Sequence, residues 1–138
     1  MRCRSATGSV TGMLVATMLV VLTFAGLAVD GTRLVLARRD LQALADSAAL
    51  AGASSIDEAR YRATGGAEVV LDPASARFAA ASVVATSGWP PDGRGSVDVS
   101  GARVRVRLER PVRLTLLSLL RIAPPLIGAT ATADPRVG

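Results

Sequence analysis

The sequence contains no histidine and no lysine, and its only cysteine, Cys3, lies close to the N-terminus. Metal sites, nucleophile–base pairs and Schiff-base chemistry depend largely on these residue types. A single cysteine also excludes an intrachain disulfide. The carboxylates of Asp57 and Glu58 are sequence neighbours, which does not suit a facing acid–base pair. The sequence therefore predicts a protein that is not an enzyme and that uses no metal or cofactor.

Aromatic residues are scarce as well, at 3% of the chain, and all 16 basic residues are arginines in a chain of net charge +5. Nucleic-acid platforms usually interleave basic side chains with stacking aromatics. Phe24, Tyr61, Phe78 and Trp89 are too scattered for that pattern, which argues against nucleic acid as a partner. Trp89 lies in a loop rich in glycine and proline, and its size favours a packing role over ligand stacking.

The feature that organises the chain is the stretch of residues 5–29, which carries no charged side chain. At about 1.5 Å per residue, a helix of this length crosses a hydrocarbon core of about 30 Å. Arg2 and Arg4 precede the stretch and Asp30 follows it. We predict a transmembrane helix over residues 9–29.

The helical pattern does not stop at the end of this span. No proline occurs between Asp30 and Ala53, and apolar residues recur there at helical spacing. The apolar positions are Leu34, Leu41, Leu44, Ala45, Ala48 and Ala51. Alanines at 45, 48, 49, 51 and 53 permit close packing, so this segment is the expected contact surface for a sheet or a partner helix.

Residues 54–138 predict one small domain that begins with helices. Residues 57–62 could form one or two further helical turns, which Gly65 and Gly66 end. A longer helix starts at Asp72, a good N-cap, with proline at its first position. Phe78, Ala81 and Ala85 are expected to share its buried stripe.

Strand signals follow from Ser96 onwards. Alternating valines on either side of a turn at Gly101 predict a hairpin, and residues 127–133 alternate like a final strand. The apolar stretch of residues 114–122 is too short to cross a bilayer, so we expect a short buried helix or a loop on the sheet. The predicted fold class is α+β: a long N-terminal transmembrane helix, extended outside the membrane, packs with a second helix on a small antiparallel sheet.

A basic face is predicted on the second strand of the hairpin. Arg103, Arg105 and Arg107 alternate there with apolar residues, and Arg110 and Arg113 follow. These arginines could contact lipid headgroups, a cell-wall polymer or an acidic subunit. The alternative, which we favour, is that they form the solvated side of a half-buried sheet.

Residues 8–53 resemble the N-terminal region of the TadE/TadG-like proteins of Flp (Tad) pilus systems. The resemblance rests on a glycine before an apolar helix, an aspartate at its outer end, an arginine-rich turn and a helix of the type LQxxADxAALAGA. The matching residues are Gly8, Asp30, Arg33, Arg38, Arg39, Leu41, Gln42 and the run from Asp46 to Ala53.

The resemblance implies a membrane-anchored, pilin-like accessory component of a Flp/Tad pilus or a related secretion machine. It also implies a single pass through the bacterial cytoplasmic membrane, with the N-terminus inside. The expected partners are the lipid bilayer and other pilus-assembly or pilin-like subunits. Residues 1–8 would then be a short basic cytoplasmic leader, residues 30–53 the extramembrane continuation of the helix, and residues 54–138 the extracytoplasmic domain.

Three fates of the N-terminus stay open. Processed pilins are cut after a glycine, which here points to the bond between Gly8 and Ser9, but Met13 replaces the glutamate that processed family members carry. The chain could therefore be an uncleaved anchor. Alternatively, a signal peptide cleaved before Val29 would release a secreted domain that binds a polyanion or cell-wall polymer.

Overall fold

A computed structural model describes residues 7–119 and 121–135, so Arg2, Cys3, Arg4 and most of the predicted leader lie outside the described residues. The first helix, α1, runs without a break over Thr7–Ala53. Its 47 residues make it about 70 Å long. The predicted continuation of the helix through Asp30 is confirmed. We call residues 7–29 of α1 its apolar half and residues 30–53 its scaffold half.

Two further helices follow, both with an aspartate N-cap, and the cap predicted at Asp72 is confirmed. In front of α2 (Glu58–Ala63), the Asp57 side chain accepts from the Arg60 N–H. In front of α3 (Pro73–Thr86), Asp72 accepts from the N–H groups of Ala74 and Ser75. Each carboxylate satisfies donors that have no acceptor within the helix. Local sequence therefore sets where these two helices start.

The sheet is antiparallel, with strands in the order β1–β2–β3. The strands are β1 (Arg94–Ser100), β2 (Arg103–Pro111) and β3 (Leu126–Ala133), and a short helix, α4 (Thr115–Leu119), lies between β2 and β3. Gly101, with a φ of 60°, makes the turn of the predicted hairpin. The α+β fold class is thus confirmed, including the final strand.

The core lies between the sheet and the scaffold half of α1, with α3 alongside. Small side chains of α1 form one wall, and the branched side chains of β2 form the other. The fully buried residues include Leu41, Ala45, Ala48, Ala49, Ala76, Ala80, Val104, Val106 and Leu108. The predicted contact role of the alanine row is confirmed by this burial.

The predicted buried stripe of α3 is wrong. Phe78 is 76% exposed, and Ala81 and Ala85 are exposed as well, whereas Ala76 and Ala80 face the core. The reason is the close approach of α3 to α1. A Cβ atom on Gly52 would lie only 3.1 Å from the backbone oxygen of Ala76. The face of α3 that meets α1 therefore has room for alanine side chains but not for phenylalanine.

The short helix predicted in residues 114–122 is confirmed as α4, whereas burial of the whole segment and the alternative of a loop packed on the sheet are wrong. Leu114 is buried, but α4 packs beside α1 instead of on the sheet. Leu119 and Ile122 are 79% and 53% exposed. The docking of α4 depends on Asp30, which is distant in sequence, so local apolarity could not indicate it.

Gly52 provides a test of this packing. Besides the Ala76 oxygen, its Cβ would meet Val104 Cγ1 at 3.0 Å. We expect Gly52→Val to lower the free energy of unfolding by about 1–3 kcal/mol, as overpacking does. Gly31→Val is the matched control, because nothing lies within 4 Å of that Cβ. Denaturant unfolding followed by Trp89 fluorescence measures both, and equal effects would contradict the close approach.

The cap of α3 gives a pH prediction. Hydrogen bonds from the Ser75 hydroxyl and the Ala74 amide lower the pKa of Asp72. The ionised carboxylate therefore stabilises the fold above the unfolded pKa of about 4, and this contribution is lost as the pH falls through the folded pKa. Asp72→Asn should be less stable than wild type at neutral pH, and the difference should vanish in acid. Asp92→Asn, at an exposed aspartate, should show no such trend.

Candidate functional site

The most unusual residue of the described structure is Asp30, a charged side chain that is only 2% exposed. Its Oδ1 accepts from the Thr115 N–H at 2.9 Å, and its Oδ2 accepts from the Leu116 N–H at 2.7 Å. These are the first two amides of α4. Leu114, which precedes them, has no side-chain acceptor, so a carboxylate 85 residues away caps the helix.

Two neighbours of Asp30 complete this contact. The Arg33 guanidinium donates to Thr115 Oγ1 at 2.5 Å. On the other side, a Cβ atom on Gly26 would lie 3.3 Å from Leu116 Cδ1, so the glycine leaves room for that leucine. Residues 26, 30 and 33 share one face of α1 because of their helical spacing. We call this contact the α4 clamp.

A second contact joins the scaffold half of α1 to β3. Gln42 Nε2 donates to the Thr130 carbonyl at 3.3 Å and to Asp46 Oδ1 at 3.0 Å. The carboxylate of Asp46 therefore orients the amide that reaches the strand. Leu41, the preceding residue, is 1% exposed and belongs to the core.

The four motif residues singled out from the sequence thus lie where α1 meets the C-terminal third of the chain. Asp30 holds α4, Leu41 fills the core, and Gln42 with Asp46 binds β3. Sequence reasoning missed all their partners. One signal was present: α4 lacks a capping side chain of its own, while the apolar run of α1 ends in an aspartate.

The predicted basic face is exposed, but it carries both signs of charge. Arg103 Nε donates to Asp134 Oδ1 at 2.9 Å, and this bond raises the pKa of Arg103. Arg105 lies opposite Asp98 of β1 in the strand register. Arg107 is also exposed on this side of the sheet. A contact role for the three arginines stays a prediction.

Arg110 is not part of that face. It lies on the core side of β2 and donates to the carbonyl oxygen of Ala37 on α1, at 3.4 Å. The expectation that it extends the basic face is therefore wrong. Strand alternation changes the facing side at every residue, and Arg110 has the parity of the buried Leu108.

The predicted processing bond between Gly8 and Ser9 lies at the second and third residues of α1, where the backbone is helical.

Within residues 7–119 and 121–135, no group of three or more histidine, cysteine, aspartate or glutamate side chains could hold a metal ion. In the described residues, the contacts that join distant parts of the chain through side-chain hydrogen bonds centre on α1 and the Arg103–Asp134 pair.

Comparison with known proteins identifies one family. A family model described as "Putative Flp pilus-assembly TadE/G-like" matches residues 8–55. The match covers α1 almost entirely and includes Asp30, Leu41, Gln42 and Asp46, so the resemblance of this region to the family is confirmed. No curated protein and no solved structure matches the chain.

The α4 clamp can be tested by removing its acceptor. In Asp30→Ala, the partly buried amides of Thr115 and Leu116 lose the acceptor that they have among the described residues, at up to about 1–3 kcal/mol for each N–H. We expect hydrogen exchange at these amides to accelerate by about tenfold or more. Asp40→Ala, which removes an exposed aspartate of the same helix, should leave the exchange unchanged. Equal protection in both variants would contradict the clamp.

Proposed function

We propose that this chain is a membrane-anchored, pilin-like accessory component of a Flp/Tad pilus or a related secretion machine, with a structural or assembly role. The observation that carries the proposal is the unbroken helix α1. Its apolar half has no packing partner over most of its length, whereas its scaffold half carries the family motif and the core. Such a molecule is built to hold a small domain at a membrane.

The apolar half supports anchoring by its composition and exposure. α1 contains an 18-residue window of mean hydropathy 2.3, none of it buried, and it is the one described helix apolar enough to cross a membrane. Its exposed side chains include Met13, Leu19 and Phe24. Water would penalise so large an apolar surface, and a bilayer removes the penalty.

The polar groups in this half suit lipid as well. The hydroxyls of Thr17 and Thr23 donate to the carbonyls of Met13 and Leu19, four residues earlier, at 2.9 and 2.8 Å. Because a hydrocarbon core offers no water, polar groups there need internal partners. Residues 10–29 carry no charge and reach about 30 Å as a helix, which matches the core thickness.

The family resemblance supports the orientation that we propose. Arginines lie on both sides of the span, so the positive-inside rule alone does not choose. We place the N-terminus in the cytoplasm and the α+β part outside the bacterial cytoplasmic membrane. There, the exposed surfaces of α3 and the sheet would meet other pilin-like subunits.

The family match favours a structural role over an enzymatic one. The contacts found at the motif residues are packing and capping contacts, not a cleft with paired acid and base. A secreted, polymer-binding domain is the alternative. Cleavage before Val29 would remove Gly26 from the α4 clamp and leave Asp30 beside a new chain end, and the arginine face is partly neutralised by Asp98 and Asp134.

Membrane fractionation and intact mass test this function together. We expect the protein to resist carbonate extraction from the inner-membrane fraction. A full-length mass would indicate a simple anchor, and a chain that starts at Ser9 would indicate pilin-like processing. A soluble protein that starts at Val29 would overturn the proposal. Protease added outside spheroplasts should digest the α+β part, and full protection would contradict the orientation.

A further inference from the structure

The connection between β2 and β3 presents an apolar surface to the outside. Leu119 of α4 is 79% exposed, Ile122 is 53% exposed, and Leu126 at the start of β3 is 70% exposed. All three belong to the chain that connects β2 to β3 or to its junction with β3, and this connection is closed where Val112 donates its N–H to the Pro125 carbonyl. We call Leu119, Ile122 and Leu126 the α4 patch.

Leu119 of this patch lies beside the final turns of the apolar half of α1. A groove between the two helices is lined by Leu22, Gly26 and Val29 on α1 and by Leu116 and Leu119 on α4. The same groove is lined by Asp30, Arg33 and Thr115, so α4 lies beside residues 22–33 of α1. Since residues 10–29 together reach only about the thickness of a hydrocarbon core, the part of α4 beside residues 22–29 falls inside the outer leaflet when α1 spans the membrane.

The backbone of α4 is suited to such a position. Asp30 accepts from its first two amides, and the Ser118 N–H donates to the Leu114 carbonyl. The Arg121 N–H donates to the Ser118 carbonyl at 3.1 Å. At the boundary of the hydrocarbon, amides without protein partners would be costly. The buried carboxylate of Asp30, at the end of the span, accepts the hydrogen bonds that water would accept elsewhere.

The exposed charges of the connection between β2 and β3 are of one sign. Arg113 and Arg121 are exposed there, Arg33 is exposed where it bonds to Thr115, and the sequence contains no acidic residue between Arg110 and Ala133. Basic side chains at a membrane surface are attracted to anionic headgroups. Apolar side chains with arginines around them are typical of a segment that lies in the interface plane.

We propose that the α4 patch is a second membrane contact, in which Leu119, Ile122 and Leu126 enter the outer leaflet of an anionic bilayer while Arg33, Arg113 and Arg121 meet its headgroups. This inference rests on the proposed spanning of the membrane by α1. With two contacts instead of one, the sheet is held at a fixed height and tilt above the lipid.

Depth-dependent quenching tests the proposal on the full chain. In a Cys3→Ser background, single cysteines at Val20, Leu119 and Ser96 are labelled with the environment-sensitive fluorophore NBD. The protein is reconstituted into phosphatidylcholine–phosphatidylglycerol nanodiscs with spin-labelled acyl chains. We expect blue-shifted, quenched fluorescence at Val20 and Leu119, and unquenched fluorescence at Ser96, an exposed residue of β1.

The outcomes separate the two proposals. Quenching at Val20 but not at Leu119 would overturn the second contact and leave the membrane anchor intact. A Leu119 probe that is shielded from both lipid and aqueous quenchers would also overturn it, and would indicate a protein partner instead. No quenching at Val20 would overturn the anchor itself. Arg113→Gln with Arg121→Gln should weaken the quenching at Leu119, whereas Arg77→Gln with Arg94→Gln should not. Equal effects would contradict the headgroup contact.

Discussion

The structure depends on one buried carboxylate in the middle of a long helix. Asp30 lies where α1 passes from a surface with no partner to a surface packed against a core, and it holds two backbone amides of a helix far along the chain. A charge buried to this extent is tolerated only when hydrogen bonds compensate its desolvation. The two amides do so, and the carboxylate in return fixes the start of α4. The carboxylate and the two amides therefore satisfy one another's hydrogen-bonding needs. These bonds join α1 to the C-terminal third of the chain.

The remaining contacts of α1 rely on small side chains. Ala45, Ala48 and Ala49 let β2, β3 and α3 approach the helix closely, and Gly52 lies against the backbone of α3. An alanine-lined helix buries little apolar area for each residue, so close contact must supply dispersion energy. The same segment matches the Flp pilus-assembly family model. Packing within the chain thus accounts for the alanine-rich tail of the motif.

Much of this fold could be predicted from local signals. The absence of proline from α1, the aspartate caps at 57 and 72 and the glycine turn at 101 act within a few residues of the structure they specify. The facing side of α3 could not be predicted in this way, because Phe78 is more apolar than Ala76 and only the narrow gap to α1 excludes it. The hydrogen-bond partners of Asp30 and Gln42 could not be predicted from local sequence either. The bonds to Thr115 and to Thr130 join residues more than 80 positions apart.

The continuity of α1 has a mechanical consequence. Sharp bends in helices arise at prolines, π-bulges or inserted groups, and α1 is a single unbroken α-helix between Thr7 and Ala53. Its scaffold half extends about 35 Å past the apolar half at 1.5 Å per residue. A sideways force on the sheet would therefore act on a stiff lever and reach the apolar half as tilt or axial rotation instead of being absorbed at a hinge. In the membrane-spanning arrangement proposed above, neighbouring helices in the bilayer would sense such a movement directly.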